Sequence, residues 1–300
     1  MDFCEAKLEV KQLLSRVKNR DLSRLLQWIR ESDDLDEFLS DNRTKILQNI
    51  SEELRGALPQ DAMLPSESTA YSKMQQCSKP TVHVDSFLYD EEQVDSLCEE
   101  GSLSRSYCLS CGSTRTAPLT SLSHSFSIPE LHFLFESVLP DLGGRVLVDV
   151  GSRLGAVLYG GYVFSSATRL VGLEISEDFV KLQENIVQKY TMTDRIQVLH
   201  SDVRLQNVLL QNADVLVLNN VFEYFLPLEE QVGAWSFIME NFRKKGSLLV
   251  TVPSLQESLN TLQMVLPPCW VEELGLDYDV YLGKDTDPDA LRQIHLYRVL

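Results

Sequence analysis

Short apolar runs alternate with helix-length segments from residue 143 to the end of the chain. Five of these runs are rich in Val, Leu and Ile, which is typical of strands buried on both faces of a parallel sheet. They are residues 145–150, 169–174, 195–200, 214–218 and 247–252. Helical spacing of apolar residues lies between them, at residues 154–164, 178–190, 228–242 and 254–262. Strands that alternate with helices indicate an α/β domain whose helices cover both faces of the sheet.

Two further strands are predicted at residues 277–282 and 294–300, and no helix-length spacer separates them. They should therefore form an antiparallel pair. The predicted fold class is α/β, with a doubly wound, mostly parallel, seven-stranded Rossmann-like sheet that has an antiparallel terminal strand. An N-terminal helical module is predicted in addition to this sheet.

The segment before residue 143 divides into three parts. Residues 1–57 carry helical spacing with no Gly or Pro before Gly56, so they are predicted to form a helical module. Residues 58–82 have the Pro, Ser, Gln and Thr content of a linker, and residues 83–142 form a connecting region. The module is interpreted as a cap that packs or docks a protein partner, and the alternative is a lid that recognises substrate.

The net charge of the chain indicates which classes of molecule it is suited to bind. The chain has 300 residues and a net charge of -17, and most of the excess acid follows residue 60. Acidic surfaces repel phosphate backbones, so this balance does not favour a nucleic-acid acceptor and fits a basic protein or a small molecule better. We see no signal peptide and no apolar run long enough to span a bilayer, which predicts cytoplasm or nucleus without membrane contact.

The six cysteines are scattered and do not form a disulfide framework. Cys108 and Cys111 alone are closely spaced, and they resemble half of a zinc-binding knuckle. Tetrahedral zinc would need two more ligands, for which Cys98, His124 and His132 are the nearby residues. Reduced structural thiols are the preferred interpretation, so no metal is predicted.

Polar residues follow four successive strands. The loop Asp149-Val150-Gly151-Ser152-Arg153-Leu154-Gly155 leaves the first strand and opens the first helix, where glycine allows a sharp turn and a close approach to a ligand. The second strand ends in Glu174, which can accept hydrogen bonds from both ribose hydroxyls. The third is followed by Asp202, which can accept from an adenine amino group, and the fourth ends in Asn219. The carboxyl ends of parallel strands meet at one edge, so one site explains all four.

These residues resemble the class I, seven-stranded S-adenosylmethionine-dependent methyltransferases over residues 125–300. The resemblance implies that Asp149, Gly151, Ser152 and Gly155 cradle the methionine part of the cofactor S-adenosyl-L-methionine. It further implies that Glu174 holds the ribose, Asp202 and Val203 hold the adenine, and Asn219 closes the site. The family loop usually has another glycine where Arg153 stands. This arginine could narrow the pocket, change the pose of the cofactor or mark a domain that has lost activity.

The segment after the fourth strand bears on the acceptor. Methyltransferases that act on adenine or glutamine amino groups have Asn/Asp-Pro-Pro-aromatic here, and both prolines are missing at Asn220 and Val221. The segment Asn219-Asn220-Val221-Phe222-Glu223-Tyr224-Phe225 is more similar to the Asn-Asn-Phe-Ala-Phe of seven-stranded histone-lysine methyltransferases. An amide oxygen can orient an amine, and aromatic walls favour a cationic methyl donor. The alternative is that the aromatic residues only pack the next helix.

Methyl transfer requires alignment and removal of a proton, because the sulfonium is already activated. The predicted catalytic residues are Asn219, Glu223, Tyr224 and His124. The predicted function is transfer of a methyl group from S-adenosyl-L-methionine to an amine of a protein or small molecule. The alternatives are an inactive methyltransferase-like scaffold or partner subunit, and a nicotinamide dehydrogenase, for which the usual Gly-x-Gly-x-x-Gly spacing is missing.

Overall fold

The computed structural model describes the chain in six stretches. These are residues 3–31, 34–58, 85–100, 125–223, 226–281 and 288–300. Contacts between Cα atoms divide the chain into two compact units, Met1–Ile46 and Leu47–Leu300. Within the described stretches, no helix combines the length and the apolar composition that crossing a bilayer requires.

The smaller unit is helical, as its apolar spacing predicted. Helices α1 (Phe3–Arg16) and α2 (Asn19–Glu31) are followed by α3 (Asp34–Ala57). Leu8 and Leu13 on α1 remain exposed within the described chain. The last turns of α3 belong to the larger unit, where Leu47, Ile50 and Leu54 are fully buried.

A seven-stranded sheet forms the centre of the larger unit. Its strands are β1 (Val146–Val150), β2 (Arg169–Glu174), β3 (Ile196–His200), β4 (Val215–Asn219), β5 (Leu248–Val252), β6 (Val271–Leu274) and β7 (His295–Val299). They lie side by side in the order β3-β2-β1-β4-β5-β7-β6. The first five pair in parallel, and β7 is antiparallel to both β5 and β6. The chain reverses its direction across the sheet between β3 and β4, so β1 and β4 adjoin at the switch point where such sheets bind ligands.

Helices cover both faces of this sheet. The helices of the larger unit are α4 (Glu91–Glu99), α5 (Ile128–Phe133), α6 (Ala156–Phe164), α7 (Glu177–Lys189), α8 (Asn207–Asn212), α9 (Leu228–Asn241), α10 (Leu255–Thr261) and α11 (Pro288–Leu291). On one face, Val148 and Leu216 join a core cluster with Trp235 and Ile238 of α9. On the other face, α6 lies so close that a Cβ added at Gly161 would come within 2.7 Å of Leu170 Cδ2. The predicted doubly wound sheet is therefore confirmed.

The position of the sixth strand was predicted wrongly. Residues 277–282 were expected to form it, but β6 is Val271–Leu274, and Asp279–Tyr281 forms a 3-10 turn. Two adjacent glutamates made the real strand look like a loop. In the structure these glutamates lie at the edge of the sheet, where Glu272 pairs with Arg298 and Glu273 with His295 of β7. The antiparallel pairing of the last two strands is confirmed.

Candidate cofactor-binding site

A cavity of about 320 Å³ opens at the carboxyl edge of β1, β2 and β4, which is within the size range of small-molecule sites. Seven of the eight residues predicted to bind a cofactor line it, and only Gly155 does not. These seven are Asp149, Gly151, Ser152, Glu174, Asp202, Val203 and Asn219. The structure therefore brings together the polar strand ends that the sequence placed on separate strands.

The loop after β1 bends sharply because Gly151 has a φ of 71°, in the left-handed region that favours glycine. The backbone N–H groups of Gly151 and Ser152 both donate to the Leu173 carbonyl, at 2.8 and 3.0 Å, which ties the loop to the end of β2. A Cβ at Gly151 would overlap the Val221 side chain from the segment after β4. Glycine is thus required here by both backbone conformation and space.

Gly155 lies at the start of α6, below the loop. A Cβ there would lie 2.6 Å from Cζ of Tyr159, whose ring is fully buried. Gly155 donates its N–H to the Ser152 carbonyl at 2.6 Å. Glycine at position 155 therefore leaves room for the Tyr159 ring next to the loop.

Arg153 stands where the resemblance to the methyltransferase family predicts glycine, and its φ is 40°. Its N–H donates to Glu174 Oε2 at 2.9 Å. The guanidinium lies 3.7 Å from Asp85 Oδ2 and 4.8 Å above the ring of Phe179, measured from Cζ to the ring centroid. Arg153 is one of the residues that line the cavity, and its side chain is only 12% exposed.

Glu174 is held in place by two backbone amides. Oε2 accepts from Arg153, and Oε1 accepts from the Ser176 N–H at 2.8 Å. Burial raises the pKa of this carboxyl, against the lowering effect of the Ser176 and Arg153 amides and the Arg153 charge. Each oxygen retains further capacity to accept a hydrogen bond. The carboxylate is therefore oriented in advance to accept from a ligand that carries two adjacent hydroxyls.

Asp149 is the second carboxyl of the cavity and is 4% exposed. Burial raises its pKa well above the ordinary value, and the negative charge of Glu174 raises it further. Two carboxyls that repel each other at one buried site favour a ligand with positive charge, since a cation offsets both desolvation and repulsion.

Asp202 is half-buried at the end of β3. Its Oδ1 accepts the Arg204 N–H at 2.8 Å, and the Arg204 guanidinium binds both carboxylate oxygens, with Nη2 2.6 Å from Oδ2. This pairing lowers the pKa of Asp202. Arg204 also contacts Glu230 of α9 at 3.1 Å. Asp202 is thus an acceptor whose ionised form is favoured by Arg204, which also fixes its orientation at the adenine end predicted from the sequence.

The segment after β4 forms the opposite wall. Asn220 has a φ of 48°, donates its N–H to the Val252 carbonyl at 2.7 Å and donates from its amide to Asn219 Oδ1 at 3.0 Å. Phe222 lines the cavity and also packs edge-on against Trp235, with ring centroids 5.7 Å apart. Phe222 therefore packs α9 and also forms part of the cavity wall, and a role in favouring a cationic donor stays a prediction.

Of the remaining predicted catalytic residues, Glu223 is described, and it does not line this cavity. Glu223 lines a small neighbouring recess together with Asn220 and Ser258. Burial raises the pKa of its carboxyl, and a hydrogen bond from Ser258 opposes this. His124 and Tyr224 lie outside the described residues.

Cys108 and Cys111 also lie outside the described residues. Of the other three candidate ligands, His132 packs its ring edge-on against Phe164, with centroids 5.1 Å apart. Among the residues described, no group of three or more His, Cys, Asp and Glu side chains is placed to hold a metal ion.

Sequence reasoning missed several residues that line the cavity or support it. Ile175 directly follows Glu174 and is 57% exposed at the edge of the cavity. Phe179, near the start of α7, also lines the cavity. Ser125 and Phe126 form another part of the lining. The position of Ile175 next to the predicted ribose-binding acid was an available signal, whereas nothing in the sequence pointed to Asp85.

No protein-family model matches the chain, and no curated protein matches it. Solved structures with a similar arrangement include an RNA methyltransferase from Salinibacter ruber in complex with S-adenosyl-L-homocysteine, at 17% identity and a TM-score of 0.36, covering 57% of this chain and 88% of that one. A methyltransferase from Geobacter sulfurreducens has 13% identity and a TM-score of 0.39, with 79% and 99% covered. An S-adenosylmethionine-dependent O-methyltransferase from Thermotoga maritima has 22% identity and a TM-score of 0.38, with 53% and 60% covered.

At these identities the likeness concerns the fold alone. The charge-based expectation against a nucleic-acid acceptor stays a prediction. The fold itself rests on the sheet, in which five parallel strands in the order 3-2-1-4-5 are extended by an antiparallel β7 and by β6. With this sheet, the larger unit has the fold of the class I, seven-stranded methyltransferases.

Proposed function

We propose that the chain is a methyltransferase that uses S-adenosyl-L-methionine as its cofactor. The observation that carries this proposal is the pair of buried carboxyls, Asp149 and Glu174, at the end of neighbouring strands in one cavity. The cofactor has an ammonium group, a sulfonium and a ribose with two adjacent hydroxyls. Asp149 would attract the ammonium, and Glu174 would accept from the hydroxyls.

The other lining residues fit the same ligand. Asp202 would accept from the adenine amino group, and the exposed Ile175 offers an apolar surface for the base. Gly151 and Ser152 line the part of the cavity where the methionine part would lie. A dinucleotide fits less well, because its pyrophosphate is negatively charged and would face two carboxyls whose pKa values are already raised.

We propose an amine of a protein or small molecule as the methyl acceptor. When bound, the cofactor supplies an electrophilic methyl group. The Asn219 amide, which lines the cavity and whose Oδ1 already accepts from Asn220, would orient the acceptor. The Phe222 ring would exclude water from that side. Glu223, which lies in the recess next to this cavity, would accept the proton that the amine loses, since its raised pKa brings it closer to that of an effective base. Tyr224 and His124 remain candidates for the same role.

Two measurements test this proposal in sequence. Calorimetric titration of the full chain with S-adenosyl-L-methionine is expected to give saturable binding at one site, and NAD is expected to bind more weakly or not at all. Cell extract incubated with the protein and isotopically labelled cofactor is then expected to yield a labelled acceptor, identified by mass spectrometry. The Asn219→Ala variant should lose a larger share of the labelling than of its affinity for the cofactor.

The second candidate is a methyltransferase-like subunit that binds the cofactor without turnover. The left-handed φ of Arg153, in the loop where glycine is usual, is the observation that favours it. Cofactor binding without label transfer to any acceptor would support this candidate. Label transfer by the unmodified protein would exclude it.

A further inference from the structure

Arg153 occupies a backbone conformation that is unfavourable for a residue with a side chain. A left-handed φ of this kind is unfavourable in the absence of supporting contacts. The φ of 40° therefore has to be maintained by the surroundings of the residue. One support is the hydrogen bond from the Arg153 N–H to Glu174. The other is on the side chain, where Asp85 and Phe179 hold the guanidinium.

One carboxylate oxygen of Asp85, Oδ2, faces the Arg153 guanidinium. It is 1% exposed, and its Oδ1 accepts the N–H groups of Phe87 and Leu88 at 2.9 and 3.1 Å, which leaves Oδ2 directed at Arg153. Burial raises the pKa of Asp85, whereas the charge of Arg153 lowers it. A buried carboxylate of this kind depends on its cationic partner.

Contacts of Leu88 and Phe87 hold the segment that carries Asp85. The Leu88 carbonyl accepts from Arg55 Nη1 of α3 at 2.7 Å, and the same nitrogen donates to Gln93 of α4. Phe87 is buried with its ring centroid 6.3 Å from that of Tyr159, the residue beneath the cofactor loop. A segment outside the sheet therefore reaches the wall of the cavity.

We propose that Asp85 is a positioning residue for cofactor binding, which holds the Arg153 guanidinium away from Glu174. This inference rests on the proposed function. Without the charge at Asp85, Glu174 is a cavity carboxyl close to Arg153, since it accepts from the Arg153 N–H and the Arg153 charge lowers its pKa. The guanidinium would then pair with Glu174 and compete with the ribose hydroxyls. Asp85 thus allows this loop to bind the cofactor with arginine in place of glycine.

A set of three variants tests this role by calorimetric titration of the full chain with S-adenosyl-L-homocysteine. Asp85→Asn keeps the acceptor for the Phe87 and Leu88 amides and removes the charge, so affinity should fall about tenfold or more. Arg153→Gly removes the competing cation and serves as the background for the second comparison. The double variant should bind within about threefold of Arg153→Gly alone, since the effect of Asp85 is transmitted through Arg153.

The matched control is Asp214→Asn. Asp214 also pairs with a cation, Lys244 at 2.6 Å, and accepts a backbone N–H from Val146, but it lies at the amino end of the sheet, away from the cavity. The Asp214→Asn variant should bind S-adenosyl-L-homocysteine with the affinity of the wild type.

Unchanged affinity in Asp85→Asn would overturn the proposal. Equal weakening in Asp85→Asn and in the double variant would also overturn it, because Asp85 would then act without Arg153. If Asp85→Asn does not fold, the double variant is compared with Arg153→Gly. Equal affinity of these two variants would support the proposal, and failure of the double variant to fold would overturn it. Absence of binding by wild type would contradict the proposed function itself, which is a separate result.

Discussion

Glu174→Gln tests the ribose contact that the account assigns to the end of β2. In the wild type, both oxygens of Glu174 are oriented by backbone amides, at 2.9 and 2.8 Å, and both can accept from the ligand. Glutamine keeps the shape but has only one acceptor oxygen. Its NH₂ group must face either the Arg153 or the Ser176 N–H, and donor then faces donor.

The expected loss follows from the charged hydrogen bonds. Each hydrogen bond to a charged group contributes about 1.5–3 kcal/mol, and the variant weakens two of them while retaining one neutral acceptor. A loss of about 2–4 kcal/mol corresponds to a decrease in affinity between about 30-fold and about 700-fold. The free energy of unfolding should change by no more than about 1 kcal/mol, because removal of a buried charge offsets the lost backbone contact.

The assay is calorimetric titration of both proteins with S-adenosyl-L-homocysteine and with its 2′,3′-dideoxy analogue. The wild type should bind the analogue far more weakly than the parent ligand, whereas Glu174→Gln should distinguish the two by less than about fivefold. An equal preference for the hydroxyls in both proteins would refute the assignment. A folded variant with wild-type affinity would refute it as well.

Three further predictions concern the loop, the buried acid and the core. Gly151→Ala should weaken cofactor binding about tenfold or more, while Gly144→Ala, which has the same left-handed φ and open space around it, should cost only about 1–2 kcal/mol of stability and leave binding unchanged. Affinity for S-adenosyl-L-methionine should rise with pH by up to about tenfold per unit through the raised pKa of Asp149, because the cationic ligand binds the ionised form, and Asp149→Asn should abolish this dependence. Trp270→Phe should lower the free energy of unfolding in urea by about 2–4 kcal/mol, since it removes the indole donor to the buried Phe242 carbonyl.

Each of these predictions has a clear contrary result. Equal binding losses at Gly151 and Gly144 would mean that space in the loop is unimportant. For Asp149, the sign follows from its raised pKa in the folded state: the unliganded protein loses stability as pH rises from the ordinary carboxyl pKa to the raised one. Affinity that falls with rising pH would contradict a cationic ligand. A change below about 0.5 kcal/mol at Trp270 would show that the indole contact is dispensable.

The sheet was predictable from the sequence because its strands are buried on both faces. Continuous runs such as residues 146–150 and 215–218 can only be satisfied in the centre of a covered sheet. The edge strand β6 lacked this signal, since its glutamates are satisfied by Arg298 and His295 across the pair rather than by burial. Edge strands depend on such pairwise contacts, which alternation along the chain does not reveal.

The site was predictable where its residues follow strands and unpredictable where distant segments meet. Glu174 and Asp202 were found because the carboxyl ends of parallel strands share one edge. The ion pair between the Arg153 and Asp85 side chains joins residues that are far apart in sequence, and no local sequence pattern indicates it. Sequence reasoning treated Arg153 as an obstacle within the loop, whereas the structure gives its guanidinium a buried partner.

The central claim is that this cavity binds S-adenosyl-L-methionine through two buried carboxyls. The most direct test is calorimetric titration of the folded full chain with this ligand, alongside the Asp149→Asn, Glu174→Gln double variant. We expect saturable one-to-one binding by the wild type and a loss of about 100-fold or more in the double variant. No binding by a folded wild type, or equal affinity in both proteins, would contradict the account.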